Sequence, residues 1–324
     1  MSLFDDNPKN AGNDPLGHSE LPAPVAPPQE SQLHPFPLTS GEIPPGDPFT
    51  YGATHPQPYT FATRSQSDLD VPWSWGHFFC FIPFAVVSLV FIQIIFTVYY
   101  IQTKALSAHP TQKELQQFAV SKPVFAVGSM VLWYAALFLF LYLTIKFFYN
   151  RPFWESLRWR KFDPQISKLP TKPWLYVLSG CALSFLVMLA TAKVKAPEHA
   201  PIQDILKNKN MAFAFMGMAV FVAPLAEETI FRAYLYPLFA RTFGVWTSII
   251  LTAILFGVMH GTQLGWAWPI VIALTGVGIV FAFVRSRTET VLASYLMHLG
   301  YNSTLAVLFV IGFFLAKYGK LPHP

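Results

Sequence analysis

Between Trp73 and Ala316 the chain is a succession of long apolar runs separated by short polar loops. A bilayer's hydrocarbon layer, about 30 Å thick, is crossed by about 20 helical residues. It offers no water to an unpaired backbone N–H or C=O, so runs of this kind must bond internally, as α-helices. The runs cover residues 73–101, 123–148, 174–192, 211–240, 245–260, 266–284 and 290–316. The fifth is short for a full span. The last is long enough to be one tilted helix or two broken ones. The expected fold is all-α, a polytopic transmembrane bundle of seven or eight helices.

Composition agrees. Of 324 residues, 53% are hydrophobic and only 12% charged, against about 25% charged in a soluble domain. The formal net charge of +5 does not point to nucleic acid, because the basic residues lie in loops, where they set orientation. Cys80 and Cys181 each sit inside an apolar run and give neither a disulfide framework nor metal spacing. Residues 1–72 hold 14 of the 28 prolines and 9 of the 17 acidic residues. Such a stretch cannot bury enough apolar surface to offset its ordering entropy, and is expected to be a disordered tail. No basic segment followed by an apolar core opens the chain, so no cleavable signal peptide is expected. The expected organisation is a Pro-rich tail (1–72), N-terminal transmembrane helices (73–204) and a C-terminal transmembrane core (205–318).

Lys146, Arg151, Arg158, Arg160, Lys161, Lys168 and Lys172 crowd the loop after the second run, against Glu155 and Asp163. An excess of basic residues marks the cytoplasmic side. That places the N-terminal tail inside as well.

The chemistry is carried by the few polar side chains within the spans. Glu227 and Glu228 are the acids there, Arg232 the base, and His260, His298 and Asn302 complete the set. A charge near the bilayer centre costs about 3 kcal/mol on insertion scales, so intramembrane charges mark a functional site. Glu228 and Arg232 are four residues apart and share a helix face, so they can pair. Glu227 is rotated about 100° from Glu228 and is free to face another helix. His298 and Asn302 are again four apart, as are Phe256 and His260, with Gly257 and Gly261 alongside to admit a neighbouring helix. At 1.5 Å per residue, Glu227, His260 and His298 lie about 20, 22 and 12 Å from the same membrane face. Three helices can therefore meet in one cavity holding a carboxylate, two imidazoles and an amide. A carboxylate with a histidine can activate water, and a second histidine with an asparagine can donate to a developing oxyanion.

"EETIFR" (Glu227, Glu228, Arg232), "FGVMH" (Phe256 to His260) and "HLGYN" (His298 to Asn302) resemble, in order, the EExxxR, FxxxH and HxxxN motifs of the CAAX prenyl protease and bacteriocin-processing family. The resemblance spans about residues 205–316. It implies an intramembrane endopeptidase in which Glu227 and His260 activate water and His298 and Asn302 bind the oxyanion, with Glu228 and Arg232 as a structural ion pair. No metal is required on this reading, although a zinc-dependent metalloprotease using Glu227, His260 and His298 remains an alternative. So does a catalytically silent scaffold or immunity protein. A transporter would show inverted repeats, and none is evident. The expected partners are membrane lipid and a peptide or protein substrate, lipidated where the substrate is a CAAX protein, and no nucleic acid. The expected location is a bacterial cytoplasmic membrane, as an integral membrane protein.

Overall fold

The computed structural model describes residues 69–194 and 200–318, apart from the side chains of residues 316 and 317. The expected tail lies outside the described residues except for its last four. The remainder is helical. α1 (Trp75–Gln102), α2 (Gln112–Ser121), α3 (Pro123–Leu143, prolonged by a π turn over Thr144–Phe148), α4 (Phe153–Ser156) and α5 (Pro173–Thr191) come first. They are followed by α6 (Pro201–Lys207), α7 (Lys209–Phe243), α8 (Val245–Met259), α9 (Trp268–Thr288) and α10 (Val291–Lys317). Six of these are long and apolar enough to cross a membrane, and α8 is a shorter apolar helix. This is the all-α membrane bundle expected from the runs, and the last run forms one unbroken helix.

Several helix starts are written in the sequence. Pro123 and Pro173 occupy the first helical position, where no intrahelical N–H bond is lost. Thr111 and Glu114 form a reciprocal capping box that starts α2. Long-range bonds then fix which ends share a face. Trp75 Nε1 donates to Thr242 Oγ1 (3.0 Å), and His77 Nε2 is hydrogen-bonded to Thr144 Oγ1 (3.0 Å). In the basic loop, Arg158 O accepts from Val291 N (3.0 Å), and Lys168 N donates to Arg287 O (2.8 Å). The start of α1, the ends of α3, α7 and α9, the basic loop and the start of α10 therefore lie together. On the opposite face, α6 meets the loop after α8 through Ile202 N and Gln263 O (3.2 Å).

α7 is the irregular element. Two π segments, Met218–Val222 and Thr229–Leu235, flank the regular turn Ala223–Glu228. Each ends two residues before a proline, Pro224 or Pro237. A proline inside a helix has no N–H to donate and crowds the carbonyl four residues back, so the backbone widens locally. In lipid the affected carbonyls need partners from elsewhere. Asn302 Nδ2 donates to Ala219 O (2.7 Å), Trp73 Nε1 to Tyr234 O (3.1 Å), and Ser248 Oγ to Tyr236 O (2.7 Å). Three separate elements thereby hold α7 in its widened form, with both glutamates on the turn between the two π segments.

Small residues let the helices around α7 touch backbone to backbone. α10 lies against α5 at Gly180 and Gly300: a Cβ at Gly180 would land on the Met297 carbonyl, and one at Gly300 on the Val177 carbonyl. Gly257 on α8 faces Thr275 and Val271 of α9, as its place beside the FxxxH pattern suggested. Gly261 instead underlies the Trp266 ring of its own loop. Ordinary overpacking costs about 1–3 kcal/mol, and an obstacle made of backbone yields less than a side chain does. Gly300→Leu is therefore expected to lower the melting temperature in detergent sharply. Gly312→Leu, on the same helix with nothing within 4 Å, should not. Equal melting of the two variants would refute the close crossing.

Candidate active site

The regular turn of α7 brings Glu227 and Glu228 to the bundle centre on different faces. Glu228 and Arg232 are both fully buried, with Arg232 Nη1 3.1 Å from Glu228 Oε1. The guanidinium also donates from Nη2 to the Gly278 carbonyl of α9 (3.2 Å). It lies over the rings of Phe256 (4.6 Å), Phe281 (5.4 Å) and Phe231 (5.7 Å). Weak hydration and a flat delocalised charge suit arginine to such an aromatic cage.

His298, eight residues into α10, is inserted between the two glutamates. Its Nδ1 is 3.1 Å from Glu228 Oε1 and its Nε2 3.7 Å from Glu227 Oε2. A carboxylate neutralised by Arg232 accepts a hydrogen bond, so the network assigns the proton to Nδ1 and leaves Nε2 toward Glu227. Glu228 thus serves two partners, tying α7 to α10 as well as holding Arg232. Spacing along α7 indicated only the second. The side-chain exposures separate the two acids: 15% for Glu227 against 0% for Glu228. Only Glu227 is reachable by a substrate or a water.

The other two sequence candidates are placed differently. His260 follows the last residue of α8 and caps it, rather than lying within the helix. Its Nδ1 is 2.7 Å from the Phe256 carbonyl. That carbonyl can only accept, so Nδ1 carries the proton and Nε2 keeps its lone pair. His260 makes no hydrogen bond or ion pair with Glu227. The Phe256 ring stands between the two histidines, 4.8 Å from His260 and 5.8 Å from His298. Asn302, one turn beyond His298, commits one amide hydrogen to Ala219 O and retains the other. The structure therefore brings Glu227, Glu228, Arg232 and His298 into one contact network. Asn302 is held at its edge, and His260 stands one aromatic ring away.

Residues outside the motifs complete this surrounding. Phe281 on α9 packs 4.8 Å from His298 and is shared with Arg232. Trp159, in the basic loop, donates to Thr229 Oγ1 (3.1 Å) beside Glu228, and its ring meets that of Tyr295 (5.4 Å), one turn before His298. Neither stands out in a sequence that is 16% aromatic. Among the described residues no three His, Cys, Asp or Glu side chains converge in the manner of metal ligands. His298 gives Nδ1 to Glu228 and His260 gives Nδ1 to the Phe256 carbonyl, so each imidazole has one ring nitrogen engaged.

Residues 209–304 match the family described as type II CAAX prenyl endopeptidase Rce1-like. The matched segment begins with α7 and ends just past Asn302, so it contains all six polar residues and agrees with the family that the three motifs resemble. No curated protein and no solved structure matches the chain. The match supports an intramembrane endopeptidase of the CAAX type.

Removing one partner of a buried ion pair leaves an uncompensated charge and costs about 3–5 kcal/mol. Arg232→Ala should therefore unfold at markedly lower temperature than wild type. The double variant Glu228→Gln, Arg232→Met, which removes both charges, should recover much of that loss. Thermal unfolding of the three proteins in one detergent is the check. An Arg232→Ala protein as stable as wild type yet inactive would move Arg232 from scaffold to chemistry.

Proposed function

We propose that the protein hydrolyses a peptide bond within the membrane, with Glu227 as the base that activates water. The carrying observation is the division of labour between the glutamates: Glu228 is buried and neutralised by Arg232, while Glu227 is accessible and faces His298 across 3.7 Å. An attacking water beside Glu227 gives up a proton to the carboxylate as its oxygen bonds to the substrate carbonyl carbon. His260, fixed by Phe256 O with Nε2 unprotonated, is a second acceptor on the far side of the Phe256 ring. It can help orient that water once substrate fills the site. The carbonyl oxygen becomes an oxyanion. His298 Nε2, when protonated, and the second amide hydrogen of Asn302 are suited to receive it. Glu228 holds the His298 ring in place through Nδ1, as a buried carboxylate orients a catalytic imidazole. The proton held by Glu227 then passes to the leaving amine. No step of this reading calls for a metal.

The family match makes a prenylated peptide ending in a CAAX sequence the substrate class to test first. We also infer that the face carrying residues 149–172 is cytoplasmic, because basic residues accumulate there. A catalytically silent scaffold is disfavoured by the intact Glu227–His298 arrangement, which scaffolding does not need.

Glu227→Gln keeps the shape of the side chain and removes the base. It is expected to fold and express as wild type but to lose about 10²-fold or more in turnover of a farnesylated CAAX peptide. Wild-type turnover should survive exhaustive chelation. A Glu227→Gln enzyme within a factor of ten of wild type would defeat the assignment, and zinc-restorable loss on chelation would make the chemistry metal-dependent. Orientation is checked separately: a single cysteine at Ser167, in the basic loop, should resist a membrane-impermeant maleimide in intact cells and react in inverted vesicles.

A further inference from the structure

We propose that Trp159, in the basic loop and outside the matched segment, is a positioning residue. It bridges α7 and α10 and sets how closely His298 approaches the two glutamates, acting through Thr229 and Tyr295. This rests on Glu227 and His298 as the reactive pair, and three observations carry it.

The first is a bond to the turn that bears the acids. Trp159 Nε1 donates to Thr229 Oγ1 (3.1 Å). The Thr229 hydroxyl donates in turn to the Leu225 carbonyl, one helical turn back (2.8 Å). A hydroxyl has a single hydrogen. With that hydrogen given to Leu225 O, Thr229 Oγ1 is the acceptor for the indole N–H, and the direction of both bonds is settled. Leu225 and Thr229 bracket Glu227 and Glu228, where the regular turn of α7 gives way to the second π segment. The indole therefore grips α7 at its most irregular junction, beside both acids.

The second is a contact with α10. The Trp159 ring meets the Tyr295 ring near edge-on, with centroids 5.4 Å apart and an interplanar angle of 66°. Aromatic pairs favour that arrangement. Tyr295 precedes His298 by three residues, so the two are neighbours on the helix surface. One side chain thus touches α7 next to Glu228 and α10 next to His298, the two helices that the 3.1 Å His298–Glu228 contact joins.

The third is the way the loop itself is held. Thr290 Oγ1 lies within hydrogen-bond distance of the carbonyls on both sides of Trp159, those of Arg160 (2.6 Å) and Arg158 (3.3 Å). Val291 N also donates to Arg158 O (3.0 Å), and Arg160 Nη2 is 3.4 Å from Glu289 Oε2. Leu157, two residues earlier, is fully buried. Arg158 takes a left-handed φ of +57°, which a residue other than glycine keeps only where its surroundings hold it. All of these bonds run to Glu289–Val291, the turn from which α10 starts. The indole is consequently presented from a backbone fixed to α10, and its N–H sets where α7 lies relative to that helix.

The consequence is that a loop at the membrane surface takes part in the geometry of the site. Loss of the indole N–H frees the glutamate-bearing turn from this support and lets it shift against His298. Loss of the Thr229 hydroxyl does the same from the other end of the bond.

The test uses Trp159→Phe, Thr229→Val and their combination in the full chain, each assayed below its melting transition. A neutral hydrogen bond corresponds to about 2- to 10-fold in rate. For a farnesylated CAAX peptide, each single variant should lower kcat by about that factor with KM within about twofold. The double variant should lose no more than either single, because both delete the same bond. Trp154→Phe, on the exposed side of the same loop, should leave kcat as it is. A readout independent of turnover is the His298 Nδ1–H resonance in protein carrying 15N-labelled histidine, assigned by its loss in His298→Gln. Trp159→Phe and Thr229→Val should both shift it, and Trp154→Phe should not. An unshifted resonance in Trp159→Phe and Thr229→Val, wild-type kcat in both, or losses that simply add in the double variant would each overturn the proposal. If no protein, wild type included, cleaves the peptide, the peptidase reading fails, and the His298 resonance alone decides whether Trp159 positions the site.

Discussion

The architecture is organised around one buried charge, the guanidinium of Arg232. A cation in the middle of an apolar bundle is tolerated only with a counter-ion and good contacts. It obtains both: Glu228 one turn away, a carbonyl from α9, and three phenylalanine rings. Those rings and that carbonyl belong to α7, α8 and α9, and Glu228 passes the constraint to α10 through His298. A single electrostatic requirement thus fixes four helices relative to one another. The same requirement consumes Glu228 and leaves its neighbour Glu227 without a hydrogen-bonded arginine partner.

The irregular backbone of α7 has a related logic. Two prolines and two π segments would be costly in lipid if the displaced carbonyls were left bare. Asn302, Trp73 and Ser248 answer that cost from three different elements. Two of the partners lie far along the chain, Asn302 83 residues and Trp73 161 residues from the carbonyl each one meets, so this support for α7 comes from tertiary contacts. Asn302, one turn beyond His298 on α10, is among the groups that secure α7.

Much of this was readable in the sequence. The membrane spans follow from run length, and observed bounds differ from the sequence reading by only a few residues. The six polar side chains were identified because each is anomalous in its surroundings. The Glu228–Arg232 contact follows from spacing within one helix, where the 3.6-residue period is dependable. Spacing failed where partners lie on different helices. Depth arithmetic brought Glu227, His260 and His298 to comparable levels, yet it carries no information on rotation. His298 came to rest against both glutamates, and His260 behind the Phe256 ring. Trp159 and Phe281 gave no signal, since in a chain that is 16% aromatic such a residue is ordinary until its neighbours are known.

The sequence by itself determined that this chain is a helical membrane protein, which residues interrupt its apolar spans, and which of them share a helix face. Local periodicity and the absence of water in lipid suffice for that. Only the tertiary structure decided which glutamate is neutralised on two sides, which histidine stands between the acids, and where the asparagine spends its amide. Those outcomes depend on how each helix is turned about its axis. That turning is set by backbone contacts at Gly180, Gly257 and Gly300, by the extra residue that each π turn admits to α7, and by side chains that reach carbonyls more than 80 residues away. None of these is a property of any one segment.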